Sequence, residues 1–294
     1  MLRESWSAIP HLRAVNPVLT ALMERRSRDG GEPPGASAWV SLDRISPYLI
    51  CAVVAAEDPR FFEHRGVDWR QTAHSLRRAV RRLRRVRGVS TITQQLARNL
   101  YLHERRSIGR KLAEALLALR LERSLGKARV LELYLNLVEW GDCVWGADAA
   151  GRKYFGCSAV DLDPFQAAFL ASLLPAPRAG LRGSNLRRAL GSQRNIALAL
   201  YATGLVSRSG ENRVYYYGSV VERGLNEGRE LHDVLRTLTN DRKRWTEGEQ
   251  RHVPPSELLD TGCLGERRRS LSRFLDTIGT DMTLFAGRPM WWTT

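Results

Sequence analysis

Apolar positions along the first 206 residues recur mostly at helical spacing. A short pattern from Val15 to Met23 is interrupted at Pro17, and Arg28 to Gly35 is a loop by its glycine and proline content. Ile50 to Ala56 is a run of small and apolar residues. Pro59 limits any helix there, because proline disfavours helical geometry in the residue before it. Asp68 with Gln71 three residues on has the form of a helix cap, and Thr91 with Gln94 repeats it. Ser107 is a third cap, opening a helix from Ile108 to about Leu125 that Gly126 ends. Lys127 to Val138 forms the next, with Val130, Leu131, Tyr134, Leu137 and Val138 on one stripe. Asp163-Pro164-Phe165-Gln166 combines a cap, a proline in the first turn and a glutamine; the helix behind it reaches Leu174 and stops at Pro175. Arg187 to Ala202 is one more helix, closed by Gly204.

After Ser207 the pattern changes. Arg213 to Val221, with three consecutive tyrosines, predicts a strand, and short helices are expected near Glu230 to Arg242 and Leu264 to Ile278. The chain therefore divides into an N-terminal segment, 1–36, a mainly α domain, 37–206, and a small C-terminal extension of uncertain fold, 207–294. No stretch approaches the ~20 apolar residues of a membrane span. Met1 to Arg28 lacks the apolar core of a secretory signal, and a start placed downstream of a lost anchor would read the same way.

Charge changes the picture more than composition does. An apolar share of 43% is that of a globular protein, but 46 Lys and Arg against 31 Asp and Glu leave +15. Such a balance calls for an anionic partner: nucleic acid, acidic headgroups or a phosphorylated substrate. Seven of the eleven residues Arg77–Arg87 are arginine. With no helix-turn-helix cue, zinc finger or interleaved aromatics, this run suits anionic headgroups and does not indicate nucleic acid. The four cysteines, Cys51, Cys143, Cys157 and Cys263, form no C-x-x-C pair and have no histidine cluster, so neither a zinc site nor a disulfide framework is indicated.

Four segments carry the candidate chemistry: Glu57–Gly66, Gly88–Asn99, Arg110–Glu114 and Leu131–Asn136. Glu57 falls at the C-terminal end of an apolar helix, where the dipole and apolar neighbours both raise a carboxyl pKa toward the range of a general base. Glu57-Asp58 is equally an ordinary polar helix end. Arg110 and Glu114, four apart, form either an intrahelical ion pair or a carboxylate beside an anion-binding guanidinium. Thr91, Gln94 and Gln95 read as a capped helix start, and such a start also binds phosphate, with Arg98 one or two turns in. His64 reads as a structural hydrogen bonder or a ligand, and Tyr134 and Asn136 as the core and polar edge of one helix.

Taken in order, these segments resemble the signature of the peptidoglycan glycosyltransferases, glycosyltransferase family 51. That signature runs E-D-x-x-F-x-x-H-x-G, G-x-S-T-[IL]-[ST]-Q-Q-x-x-K-N, R-K-x-x-E-[AW] and I-L-E-x-Y-L-N. Trp39-Val40 through Ile45-Ser46-Pro47, Lys153-Tyr154-Phe155 and Gln166-Ala167-Ala168 through Pro175-Ala176-Pro177 agree as well, so the resemblance covers residues 12 to 206.

The resemblance implies a lysozyme-like helical domain with a smaller jaw lobe that dips into the membrane. It implies polymerisation of lipid II at the outer, periplasmic face of the bacterial inner membrane, with other cell-wall synthesis proteins as partners. Glu57 then stands at the catalytic base. Arg98, Arg106 and Arg110 stand at the diphosphate. Glu114 stands at the second catalytic glutamate, which organises metal or diphosphate or assists the reaction. Asp58, Phe61, His64, Thr91, Gln95, Asn99, Tyr134 and Asn136 stand among the cleft residues. No cofactor is required, although family chemistry often involves a divalent cation, Mg or Mn, at the diphosphate; no independent ligand spacing supports one here. The departures are Arg98 for the usual lysine, Val89 for a frequent glycine, the absent anchor, and 207–294, which matches nothing in the family. Ser124-Leu125-Gly126-Lys127 fits S-x-x-K, but no K-T-G follows, so no transpeptidase domain is expected. Two other readings stay open: a member redirected to another polyprenyl- or diphosphate-linked sugar, and a non-catalytic scaffold of the same fold.

Overall fold

The computed structural model describes residues 6–30, 38–74, 90–102 and 107–240. The expectations for Arg77–Arg87, Gly88-Val89, Arg106 and a helix at Leu264–Ile278 lie outside the described residues. The described chain is mainly α-helix with one short antiparallel ribbon, the fold class that the resemblance implies. It divides into two compact units, Met1–Ala36 with Arg60–Val138, and Ser37–Pro59 with Glu139–Thr294.

The first unit is built on α1 (Ala21–Arg28), α3 (Ile92–Tyr101) and α4 (Ile108–Leu137). The helix expected over Val15–Met23 is instead a 3₁₀ turn at Ile9–Arg13 followed by α1. The reason is local: Thr20 is the cap, its Oγ1 accepting from the Met23 N–H at 3.1 Å, so the helix begins only after it. Ser107 caps α4 through the Arg110 N–H, and Gly126 (φ 75°, ψ 170°) breaks it where the sequence places a break. Ala113, Leu117, Ala118 and Leu121 make the buried face of its first half, and α3 packs along α4. Arg129 holds the N-terminal segment: its guanidinium donates to the carbonyls of Leu12 (2.8 Å) and Val15 (3.2 Å) and to Asn16 Oδ1 (2.7 Å).

The second unit stacks α2 (Pro47–Glu57) against α6 (Pro164–Leu173) and α7 (Gly183–Ala202), with Ala55 meeting Ala199. All ten residues of α6 are buried, which explains why its sequence is apolar on every side. Its capping box, Asp163 with Gln166, is the predicted one. β1 (Glu139–Gly141) and β2 (Val144–Trp145) form the ribbon, followed by α5 (Ala147–Phe155). Phe155, Phe165, Phe169 and Tyr217 pack edge to face or tilted, at centroid separations of 5.2–6.1 Å.

Arg213–Val221 is not a strand. It lies within α8 (Arg208–Asn226), which packs on α7 and α6. Val214, Tyr217, Gly218 and Val221 are its buried positions, at spacings of three, four and seven. Tyrosine and valine favour strands only where a pleated neighbour exists to receive them, and packing on a helical face overrides that preference. A Cβ on Gly218 would lie 2.8 Å from Gln193 Oε1, so glycine allows α7 its close approach. The expected helix after Glu230 is α9 (Leu231–Asn240), whose Val234 fills the space left open by Gly224.

Candidate active site

In the second unit, Glu57 is the last residue of α2 and is half-buried. Asp58 leaves helical geometry (φ −157°, ψ 73°) ahead of Pro59, while its N–H still bonds the Val54 carbonyl at 3.0 Å. Asp58 itself is buried. Eight of the eleven residues of α2 are buried, so the glutamate does end an apolar helix.

In the first unit the motif residues are joined by side chains. Arg60 donates to Glu63 (2.9 Å) and stands 3.6 Å from Asp68, whose other oxygen caps the helical residues 69–74 through the Gln71 N–H at 3.0 Å. Phe61 is fully buried, edge-on to Phe62 and His64, with Lys127 Nζ 4.1 Å from its ring centroid. Gly66 has φ 86°, and a Cβ there would meet the Ala118 carbonyl oxygen of α4 at 2.6 Å. Glycine is therefore required twice over, by conformation and by contact. The Gly66 carbonyl accepts from Thr91 Oγ1 at 2.6 Å. Thr91 and Gln94 complete their capping box, so the end of the first motif is bonded to the start of the second.

The third and fourth motifs close the network. Glu114 is 1% exposed. Its Oε2 accepts from Arg110 Nη1 at 2.8 Å; its Oε1 accepts from Lys111 Nζ and, at 3.4 Å, from Ser90 Oγ. Lys111 also donates to Ser90 Oγ at 2.6 Å. Gln95 Nε2 reaches the Ser90 carbonyl at 3.5 Å, and Gln95 Oε1 accepts from the Tyr134 hydroxyl at 3.1 Å. Burial of a carboxylate is tolerable only with such partners. Two cations around one carboxylate leave a positive excess at the capped start of α3, and Arg98 stands half-buried about two turns on.

Thr91, Gln95, Arg110, Glu114 and Tyr134 are thus brought together, with Phe61 and His64 tied in through Gly66 and Lys127. Asn99 is buried on α3, and Asn136 turns back to the Glu132 carbonyl of its own helix at 2.8 Å. Ser90 and Lys111 had not been singled out. The legible signal for Lys111 was its place three residues before Glu114. As a metal ligand Glu114 does not fit: Arg110, Lys111 and Ser90 already occupy its oxygens, and among the described residues no three His, Cys, Asp or Glu side chains stand together.

Residues 30–200 match the family model for Transglycosylase. The chain belongs to the transglycosylase family. A biosynthetic peptidoglycan transglycosylase of Alcanivorax borkumensis is 46% identical over 166 residues, 56% of this chain and 66% of that protein. One from Aromatoleum aromaticum is 42% identical over 192 residues, covering 64% of this chain and 84% of the relative. A third, from Nitrosospira multiformis, is 41% identical over 177 residues, 59% and 77% of the two chains. The family match ends within α7, before α8 begins.

Proposed function

We propose that this transglycosylase is a peptidoglycan glycosyltransferase that polymerises lipid II into β-1,4-linked glycan strands and releases undecaprenyl diphosphate. The observation that carries the reading is the buried Glu114 cluster, which joins the second and third of the family's ordered motifs and leaves excess positive charge where a diphosphate would be held.

Glu57 accepts the proton of the acceptor sugar's 4-hydroxyl as that oxygen attacks the donor's anomeric carbon. The bond from that carbon to the diphosphate oxygen breaks, and the diphosphate leaves with the electron pair. Attack and departure on opposite faces turn an α-linked donor into a β linkage. Arg98, Arg106 and Arg110, joined by Lys111, stabilise the charge of the leaving diphosphate. Glu114 orients Arg110 and Lys111 for that task. Thr91, Gln95 and Tyr134 hold the start of α3, and Asp58, Phe61, His64, Asn99 and Asn136 shape the cleft. No metal is assigned a step.

The enzyme works at a membrane surface, on the periplasmic face of the inner membrane. Ile108, Leu112, Leu116 and Leu119 form an apolar stripe on the outward side of α4, with Ile108 91% and Leu112 62% exposed. An apolar helical face of this kind, flanked by Arg120 and Arg123, suits the headgroup boundary. Among the described residues no helix is long and apolar enough to cross a membrane.

The experiment is polymerisation of labelled lipid II in detergent by the purified protein beside Glu57→Gln. Muramidase-sensitive polymer from the wild type alone supports both the reaction and the base. A folded wild type that makes none moves the assignment to another diphosphate-linked sugar. Polymer from both proteins removes Glu57 from the role of base.

A further inference from the structure

Glu122 lies outside all four motifs, yet its side chain is only 6% exposed and binds Thr93 of the second motif and Lys127, which faces Phe61 of the first. Its Oε1 accepts from Thr93 Oγ1 at 2.6 Å and from Lys127 Nζ at 2.6 Å. Thr93 is fully buried in the first turn of α3, two residues after the cap Thr91. Lys127 Nζ in turn faces the ring of Phe61.

The geometry of α4 explains the pairing. Glu114, Ala118 and Glu122 are four apart and share one face. Glu114 binds Ser90 just before the start of α3, Ala118 closes on Gly66, and Glu122 binds Thr93 just inside α3. The capped turn is therefore gripped on both sides. Residues five apart in an unbroken helix point about 140° away from each other. Lys127 reaches Glu122 because Gly126 (φ 75°, ψ 170°) breaks the helix between them. The break thus produces a contact that a continuous helix forbids.

We propose that Glu122, with Lys127, is a positioning residue for glycosyl transfer: it fixes the first turn of α3, and through it Gln95 and Arg98, relative to α4. The proposal rests on the reading of the chain as a lipid II polymerase. Glu122 touches no substrate; it acts through Thr93 and Phe61. Loss of the grip shifts the α3 start, and a small misplacement of a group that stabilises a leaving diphosphate lowers turnover more than it weakens binding.

The test compares Thr93→Val, Thr93→Ser, Glu122→Gln and Lys127→Met with the wild type, by kcat and KM for lipid II and by amide hydrogen exchange of 94–98. Thr93→Val keeps volume and removes only the hydroxyl, so it carries the test if Glu122→Gln does not fold. The expected result is a kcat about 10-fold lower in Thr93→Val, the size of one lost hydrogen bond to a charged group, with KM within about twofold of wild type. Exchange at 94–98 rises, and Thr93→Ser restores both readings. Wild-type kcat in folded Thr93→Val and Glu122→Gln overturns the proposal, as does failure of Thr93→Ser to rescue. If the wild type itself makes no polymer, the functional reading has failed. The exchange data still decide the positioning: unchanged protection in Thr93→Val overturns it.

Discussion

The two compact units are held together by different physics. In the second, the buried carboxylates Asp148, Asp163 and Glu211 bond mainly within three or four residues of themselves, as caps and intrahelical pairs, and packed area joins the elements: α6 is buried on every side, α2 over most of its length, and four aromatic rings interlock between α5, α6 and α8. In the first, polar bonds between distant segments do much of the ordering: Glu114, Thr91, Thr93 and Gln94 are buried and partnered, and the carboxylate of half-buried Glu122 holds Thr93. A packed apolar surface accepts several side chains of similar volume. A buried carboxylate accepts only the donors that reach it. The first unit therefore fixes residue identity position by position, and motifs accumulate there.

The largest effect expected is in the area-dominated unit, at its one proposed reacting group. Glu57→Gln should lower polymerisation by about 10²- to 10⁴-fold, the contribution of a general base, while thermal unfolding stays near that of the wild type. A variant that instead unfolds would place Glu57 in the packing of α2 rather than in the chemistry.

Next in size is a crossed pair. Phe169→Ala removes a buried ring from the aromatic cluster and should cost about 3–5 kcal/mol of stability by urea unfolding, with kcat per folded molecule unchanged. Glu114→Gln removes a charge and hardly any volume. It should lower kcat by about 10- to 100-fold through misoriented Arg110 and Lys111, with a smaller loss of stability than Phe169→Ala. Similar profiles from the two variants would erase the distinction between the units.

How far this was legible in the sequence follows the same division. The capping boxes at Thr91 and Asp163, the break at Gly126 and the apolar run into Glu57 were readable because each is set by neighbours within a few residues. The motif order points to Gln95, Arg110, Glu114 and Tyr134, although the Gln95–Tyr134 contact spans 39 positions. Arg213–Val221 was misread because the partner that makes it helical, the face of α7 around Gln193, is twenty or more residues away. Glu122 was invisible for a related reason. Its contact with Lys127 needs a broken helix, and its contact with Thr93 spans 29 positions.

Glycine separates the units on a finer scale. Gly66 and Gly156 both have positive φ, 86° and 67°, so alanine at either should cost about 1–2 kcal/mol from conformation alone. At Gly156 the added Cβ meets nothing within 4 Å, and the cost should stop there. At Gly66 it strikes the Ala118 carbonyl oxygen of α4 at 2.6 Å, in a segment that the Thr91 bond ties to the start of α3. Gly66→Ala should therefore destabilise more than Gly156→Ala and also lower turnover, measured by thermal unfolding and lipid II polymerisation side by side. Equal losses would mean that α4 yields at Ala118 without disturbing the α3 start.

The smallest effect should be common to both units. Burial pushes the Tyr101 phenol, at the end of α3, up to about 12, and burial followed by the charge of Asp163 does the same to Tyr48 in α2. Between pH 10 and 12 the unfolded chain releases these protons while the folded protein retains them. The unfolded state then binds fewer protons, so stability falls as pH rises through that window, and the contribution is fully present below pH 10. Urea midpoints measured from pH 9 to 11.5 should decline in the wild type, and Tyr48→Phe and Tyr101→Phe should each flatten the decline by a similar amount. Flattening by Tyr48→Phe alone would mean that water reaches Tyr101 in the folded state. The polar ordering of the first unit would then extend to the last turn of α3, where only apolar burial is now assigned.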